Sequence, residues 1–198
     1  MKSRKYEMSA RAVAAEHTAD RVVDAMLARF TVLPYERIRI EDVAADAGVT
    51  GQTVLRRFSS KAGLLNATVE RELGRIAAAR RAAAGSTAAR TVHDLVQHYE
   101  AYGALILKTY AEAPLVPGLP ERAAQGRAFH VDWCREAFVL DDALDAAERE
   151  RRTAQIVALC DATTWRILRF DGGLDPEATE RAIAELLLPL VEAGPPAA

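Results

Sequence analysis

The chain has 198 residues, of which 50% are hydrophobic and 27% are charged, and its net charge is −2. These values are ordinary for a soluble globular protein of one domain or two small ones. No apolar run reaches the roughly 20 residues that a membrane span needs, and the charged N-terminal stretch lacks the apolar core of a signal peptide. We therefore expect a cytoplasmic protein that does not associate with a membrane.

The charge is divided unevenly along the chain. Residues 1–61 hold 11 Lys and Arg against 8 Asp and Glu, a net charge of +3, and the remainder has a net charge of −5. A small basic module followed by a larger acidic one indicates that only the N-terminal part meets a polyanion. An excess of three charges is also compatible with an ordinary solvated face.

The two cysteines, Cys134 and Cys160, are too few and too far apart for a disulfide framework or a four-cysteine zinc site. We interpret them as small buried hydrophobic residues. The sequence leads us to expect neither a metal nor a cofactor.

The first part of the chain predicts four helices. The first begins near Ser9 or Thr18 and ends at Phe30, with an apolar stripe formed by Val22, Val23, Met26, Leu27 and Phe30. A short second helix over 40–47 ends at Gly48, and a third over 50–58 has Thr50 as its N-cap. Ser60 can cap a fourth, long helix over 61–84.

The remainder also reads as helical. The predicted helices cover 88–112, 121–138, one continuous stretch from Asp142 or Asp145 to Phe170, and 176–192. The three prolines of 113–120 predict a loop, and Pro189 is expected to kink the last helix or end it early. The expected fold is all-α, with an N-terminal three-helix head and a larger helical body.

Two short amphipathic helices meet at Ala47–Gly48–Val49. Glycine permits a sharp turn with positive φ, and small residues on the second helix let the third cross it closely. This arrangement is typical of the helix-turn-helix, whose second helix lies in the major groove of DNA. Val54 and Phe58 would then face the core.

The opposite face carries side chains suited to DNA. Arg56 can donate two hydrogen bonds to guanine, Gln52 can bond adenine, and Leu55 or the Thr50 methyl can contact thymine. Thr53 and Arg57 are placed to hold phosphates, and Lys61 stands where a helix N-terminus already favours an anion. The predicted DNA-binding residues are Thr50, Gly51, Gln52, Thr53, Leu55, Arg56, Arg57 and Lys61. For either arginine alone, a solvated helix charge is the alternative.

The segment 40–65 resembles the N-terminal signature of the TetR family of transcriptional regulators. The matching elements are Val43–Ala44, Ala47–Gly48–Val49, Thr53, Phe58, Ser60–Lys61 and Leu64–Leu65. The sequence departs from the family pattern at four positions. Arg39 stands where a Ser or Thr N-cap of the second helix is usual. Leu55 stands where a tyrosine is usual, Arg57 where histidine is frequent, and Gly63 where glutamate is common.

This resemblance implies a DNA-binding domain over 1–65 and a ligand-binding and dimerisation domain over 66–198. It implies a homodimer, joined by the last two long helices of each subunit, that binds a palindromic operator on double-stranded DNA. It further implies an unidentified small-molecule effector that changes the spacing of the two heads, and repression as the usual outcome.

The body offers candidates for lining the effector pocket, which are His98, Tyr102, His130, Trp133 and Trp165. The alternative for each is a place in the core or an interface. An enzyme is the distant alternative, since no phosphate loop or nucleophile elbow is present. A helical dimeric scaffold, or a small-molecule-binding protein without a DNA role, is the nearer alternative. A basic surface over 50–61 distinguishes a DNA-binding protein from a scaffold, because a scaffold needs no such surface.

Overall fold

The computed structural model describes the backbone of residues 2–82 and 87–192, and the side chains of 13–81 and 87–192. All regular structure within these ranges is helical, which confirms the predicted fold class. The α-helices are α1 (Lys2–Val32), α2 (Ile40–Asp46), α3 (Gly51–Phe58), α4 (Lys61–Ala82), α5 (Ala88–Glu112), α6 (Leu119–Ala137), α7 (Ala146–Leu159), α8 (Ala162–Arg166) and α9 (Pro176–Glu192). None of the described helices is both long enough and apolar enough to cross a bilayer.

The chain forms two compact units, and the boundaries between them fall within α4, α5 and α6. The first unit, here called the head, comprises the residues up to Glu72 together with Ala111–Arg122. The second unit, here called the body, comprises Leu73–Tyr110 and the residues from Ala123 onwards. The division between domains at 65 and 66 stays a prediction, because a compact unit need not coincide with a functional domain.

The head is built around the apolar stripe of α1. Val22, Met26 and Phe30 are buried as predicted, and Leu27 is half-buried. They pack in one core with Ile38, Val43, Ala44, Val54, Leu64 and Leu65. The helix begins at Lys2, earlier than the sequence indicated, and residues 13–17 continue it with exposed side chains, so no buried stripe marks that part of the helix.

The second piece of the head, 111–122, is tied to the first by polar contacts. The backbone N–H of Tyr35 donates to Glu112 at 2.8 Å, and the Asn66 amide donates to the carbonyl of Pro117 at 2.8 Å. Arg122 pairs with Glu70 at 3.1 Å. The predicted proline-rich loop is therefore short and structured, with a 3₁₀ turn at Ala113–Leu115 before α6 begins.

The body has its own apolar core, contributed by α4 to α9. Its largest members include Leu95, Tyr99, Trp133, Ile156, Trp165 and Leu187. Two predicted helices agree with the structure at both ends, 88–112 and 176–192. Asp175 caps the last helix, since its carboxylate accepts from the N–H of Ala178 at 2.7 Å, but Pro189 lies inside this helix and does not end it.

The single helix predicted between Asp145 and Phe170 is wrong. The chain turns at Cys160, and Asp161 starts α8 by accepting the N–H of Thr163 at 2.7 Å. A wide π-helical turn, Ile167–Asp171, follows, and the N–H of Gly172 donates to the carbonyl of Ile167 at 2.7 Å. Apolar periodicity continues across the break, so only the capping aspartate marked it.

Candidate nucleic-acid interface and buried body cluster

The turn between α2 and α3 has the geometry that its residues predict. Gly48 has φ +65, a conformation that a side chain disfavours. The N–H of Val49 donates back to the carbonyl of Ala44 at 2.9 Å. Thr50 then caps α3, accepting the N–H of Thr53 at 3.2 Å. The conformation of Gly48 and these two hydrogen bonds fix the direction in which α3 leaves the turn.

The predicted inward and outward faces of α3 are observed. Val54 is buried and Phe58 is half-buried, whereas Gln52, Leu55, Arg56 and Arg57 are exposed. Thr50 is also exposed, and Gly51 and Thr53 are half-buried. A Cβ added to Gly51 would lie 3.7 Å from Ile40, an ordinary contact distance. The structure therefore places four predicted base-reading or phosphate-binding side chains on one solvent-facing surface.

The turn between α3 and α4 explains why Gly63 departs from the family pattern. Ser59 has φ 66, and Ser60 accepts the N–H of Gly63 at 2.9 Å, so the predicted cap of α4 is present. A Cβ at Gly63 would lie 2.2 Å from the carbonyl oxygen of Phe58. No side chain fits there without a shift of the backbone, so glycine suits this tight turn.

Lys61 is held by the protein's own backbone. Its ammonium donates to the carbonyls of Tyr35 at 2.9 Å and Ile38 at 3.0 Å, and it lies 3.5 Å from that of Glu36. It also lies 4.1 Å from the centre of the Tyr35 ring. An ammonium has three N–H donors, so these acceptors can occupy all of them. Residues Tyr35–Arg37 form a 3₁₀ turn, and the carbonyls of Tyr35 and Ile38 at its two ends accept from Lys61.

An ion pair fixes α2 against α1. The Arg29 guanidinium contacts Asp46 at 2.6 Å and Asp42 at 3.7 Å. The hydrogen bond from Arg29 holds the pKa of Asp46 below its usual range. These two carboxylates of α2 are therefore engaged by the head itself, which lessens their repulsion of a nearby polyanion.

A groove of about 530 Å³ lies beside α3, between it and α1. Thr18 and Val22 of α1 form one wall, and Thr53, Arg56 and Arg57 lie on the other. Because the arginines at the rim are exposed, the groove extends the basic surface of α3 towards α1.

The body brings together the side chains predicted to line an effector pocket. His98, His130, Trp133 and Trp165 are buried, and Tyr102 is half-buried. The His98 ring lies 5.1 Å from that of Tyr102 and 5.6 Å from that of Tyr99, which in turn lies 5.9 Å from Trp165. His130 and Trp133 both contact Arg80, which the sequence analysis did not single out.

Arg80 is the central polar group of this region. It lies close to His130 Nδ1 at 3.2 Å, donates to the Tyr99 hydroxyl at 3.0 Å and stacks 4.1 Å from the Trp133 ring. Tyr99 in turn donates to the carbonyl of Cys160 at 2.6 Å. The burial of Arg80 could have been predicted from its spacing. It lies on the same face of α4 as the buried residues Leu65, Val69 and Ile76.

Burial shifts the titration of several groups in this region. Desolvation, followed by the charge of Arg80, lowers the pKa of His98 to about 4. Burial raises the pKa of Tyr99 far above its usual value, so the phenol stays protonated. The hydrogen bond from Cys160, and then contact with His130, lowers the pKa of Cys134, whereas burial raises that of Cys160.

Both cysteines are reduced and buried, as expected. Over the described part of the chain, no group of three or more His, Cys, Asp or Glu side chains is arranged to hold a metal ion.

Comparison with known proteins agrees with the geometry of the head. Residues 23–68, which run from α1 into α4, match the family model of bacterial regulatory proteins of the tetR family. The match covers the predicted helix-turn-helix and confirms the resemblance of this segment to the tetR family. No curated protein matches it by sequence.

Solved structures extend the likeness over most of the chain. A transcriptional regulator from Rhodococcus sp. Rha1 has a TM-score of 0.70 at 18% identity, over 88% of this chain and 96% of that one. NalD, the secondary repressor of the MexAB-OprM multidrug efflux pump in Pseudomonas aeruginosa, has a TM-score of 0.60 at 19% identity, over 91% and 99%. The regulator LfrR from Mycobacterium smegmatis, in complex with proflavine, has a TM-score of 0.54 at 22% identity, over 90% and 99%. At these identities the likeness establishes the fold.

Proposed function

We propose that this protein is a sequence-specific DNA-binding transcriptional regulator, acting as a repressor whose affinity for its operator changes when a small molecule binds the body. The observation that carries the proposal is the exposed, basic face of α3, held in place by the α2–α3 turn and its caps within a tetR-family module. A helical scaffold or a protein that only binds small molecules has no use for such a face. NalD is named a repressor and LfrR was solved with a small molecule, which supports both parts of the proposal.

The roles of single residues follow from their positions on α3. We assign base contacts to Arg56, Gln52 and Leu55, since they are exposed on the surface that would enter the major groove. Leu55 presents only a methyl-bearing side chain where tyrosine is usual, so it would favour a thymine methyl over a phosphate. Gly51 lets the backbone approach DNA closely.

The phosphate contacts form a second set. Arg57, together with the hydroxyls of Thr50 and Thr53, would hold the DNA backbone. Lys61 stays a predicted contact, but its ammonium would first have to leave the carbonyls of Tyr35 and Ile38. The free N–H groups at the start of α4 can bind a phosphate in either case.

We further propose that the protein acts as a homodimer, by binding and not by catalysis, in the cytoplasm where its DNA lies. Large apolar side chains are exposed on the last elements of the body, namely Ile167, Phe170 and Leu186. Such a surface marks an interface with another copy. Two heads related by a two-fold axis must place their α3 helices about 34–36 Å apart to enter successive major grooves, which requires a palindromic operator.

The test is fluorescence-anisotropy binding to palindromes selected from genomic fragments, over a series of salt concentrations. Arg57→Ala should weaken binding to all sequences alike and reduce the salt slope by about one, because it removes a phosphate contact. Arg56→Ala should lower the discrimination at one base pair by about 1–3 kcal/mol. Arg135→Ala, an equally exposed arginine of the body, is the matched control and should change neither property.

Failure to select any sequence would contradict the regulator proposal and leave the scaffold as the better interpretation. Binding that is selective but insensitive to both α3 variants would contradict the assignment of α3 as the reading helix.

A further inference from the structure

We propose that the buried cluster of Arg80, His98, Tyr99, His130 and Trp133 binds the carboxylate of an aromatic organic acid, and that this acid is the effector. The inference rests on the proposed function, because it names the ligand class of the effector-binding body. All five residues of the cluster lie within the body.

The first observation is a buried cation without a counter-ion. Arg80 is only 5% exposed, and no carboxylate of the described residues pairs with it. Its partners are an imidazole, a phenol and an indole ring, and its Nε–H has no hydrogen-bond partner among the residues that the structure describes. Burying an unpaired guanidinium is strongly unfavourable, so an anion at this position would stabilise the cluster.

The neighbouring side chains do not supply that anion. Tyr99 donates its proton to the Cys160 carbonyl and stays neutral. A guanidinium only donates, so His130 accepts from it at Nδ1 and carries its proton on Nε2, which lies 3.0 Å from the carbonyl of Val157. Against the effect of burial, contact with Cys134 raises the pKa of His130, but a protonated Nδ1 could not accept from Arg80, so this hydrogen bond favours the neutral imidazole and a protonated Cys134 thiol. The cluster therefore keeps the single positive charge of Arg80.

The second observation is that two further polar atoms in the same cluster lack partners. They are Nε2 of His98 and Nε1 of Trp133, in side chains that are 8% and 4% exposed. Arg80 and Trp133 are in contact, so one carboxylate could accept from the Nε–H of Arg80 and the indole N–H together. His98 lies close enough to Arg80 for that charge to lower its pKa. Few native buried polar groups stay unsatisfied, and three in one cluster point to a ligand.

The chemical class follows from charge and surroundings. One guanidinium balances one negative charge, which fits a carboxylate better than a phosphate dianion. The rings of Tyr99 and Trp133 belong to the cluster, and those of Tyr102 and Trp165 lie beside His98 and Tyr99. Aromatic side chains pair favourably with other rings at about 4.5–7 Å. An aromatic acid combines both features.

The test uses three aryl carboxylates of increasing size, benzoate, phenylacetate and 2-naphthoate, each against its primary amide as a neutral control. Binding is measured by calorimetry and by tryptophan fluorescence. Trp133 and Trp165 are the two tryptophans of the chain, so the emission reports from this region alone. We expect at least one acid to bind more than tenfold tighter than its amide.

Substitutions at two arginines test whether Arg80 is the source of the preference for the acid over its amide. Arg80→Gln should remove it, whereas Arg81→Gln, an exposed neighbour that stacks on Phe129, should retain it. Arg80→Lys keeps the charge and should retain a preference for the acid, and it serves as the test if Arg80→Gln does not fold. Equal binding of acid and amide to the wild type, no binding of any acid, or equal losses in the two glutamine variants would overturn the proposal.

A thiolate at Cys134 is the competing counter-ion. Absorbance near 240 nm, compared between the wild type and Cys134→Ser at pH 7, detects it. Equal absorbance is expected, and an excess in the wild type would overturn the argument from charge balance. The outcome is separable from the proposed function. Selective DNA binding without a preference for acids contradicts only the ligand class, and acid binding without DNA binding contradicts only the regulator.

Discussion

Lys61 has the charge and the position of a phosphate-binding residue, yet its ammonium lies among backbone carbonyls of residues 35–38. Arg80 has the charge of a surface residue, yet it is buried beside Trp133. In both cases the residue type and its spacing were visible in the sequence, but the partner came from a distant part of the chain. At the scale of single residues, tertiary contacts decide what a charge does.

Lys61→Met should destabilise the head by about 2 kcal/mol, because it removes the charge-assisted hydrogen bonds to the carbonyls of Tyr35 and Ile38. Urea unfolding followed by circular dichroism measures the change. Arg57→Met, at the exposed end of α3, is the control and should change the free energy of unfolding by less than about 0.5 kcal/mol. In DNA binding, a salt slope equal to the wild type would support the structural role of Lys61. A slope reduced by about one would show a phosphate contact instead.

His98 should make the stability of the body depend on pH. Its pKa in the folded protein, about 4, lies below the value near 6.5 expected for an unfolded chain. The favourable contribution of the neutral form is therefore complete above pH 6.5 and is lost as the pH falls towards 4. The free energy of unfolding of the wild type should fall by up to about 1.4 kcal/mol per pH unit more steeply than that of His98→Leu in this window. Tyr102→Leu removes a neighbouring ring without a titrating imidazole and should keep the wild-type slope, and parallel curves for all three proteins would contradict the prediction.

At the scale of elements, local signals placed most helix boundaries. Thr50 and Ser60 cap the helices that they were predicted to cap, and Gly48 adopts the positive φ that its turn requires. The break between α7 and α8 was missed because Asp161 stands within a continuing apolar pattern. The close approach of α5 to Trp165 was also hidden, since glycine at position 103 reads only as a weak helix former.

Gly103→Ala should destabilise the body by about 1–3 kcal/mol, although alanine favours a helix more than glycine does. A Cβ at this position would lie 2.4 Å from the Trp165 ring, so the indole must move. Thermal unfolding and tryptophan emission measure the effect. Gly74→Ala is the matched control, because nothing lies within 4 Å of its added Cβ, and it should stabilise by about 0.5–1 kcal/mol. Equal stabilisation by the two substitutions would show that Trp165 does not pack on α5 as described.

For the whole molecule, the proposed function depends on apolar surfaces that are exposed in a single chain. Phe170 is 64% exposed and Leu186 is 57% exposed, although both are large and apolar. Neither exposure follows from periodicity, because an interface stripe and a core stripe have the same spacing. The homodimer therefore remains a proposal that these surfaces support.

Phe170→Glu combined with Leu186→Glu should convert a dimer into a monomer at micromolar concentration, because it places charges in a buried apolar interface. Sedimentation velocity measures the oligomeric state, and affinity for a palindrome should fall while affinity for a half-site is retained. Val139→Glu, at another strongly exposed apolar residue of the body, should stay dimeric. A wild-type protein that is monomeric at micromolar concentration would contradict the dimer.

The all-α fold, the helix-turn-helix and the exposed face of α3 can be predicted from the residues alone, because they depend on contacts within about 25 consecutive residues. Caps, glycine turns and apolar spacing act over that range, so they can be read without the rest of the chain. The three-dimensional structure was needed to show that backbone carbonyls engage Lys61. It was also needed to show that Arg80 is buried with no carboxylate of the described residues paired to it. These features depend on which distant segments meet, and the free energy of a charge is set by the partners and the solvent that it finds there.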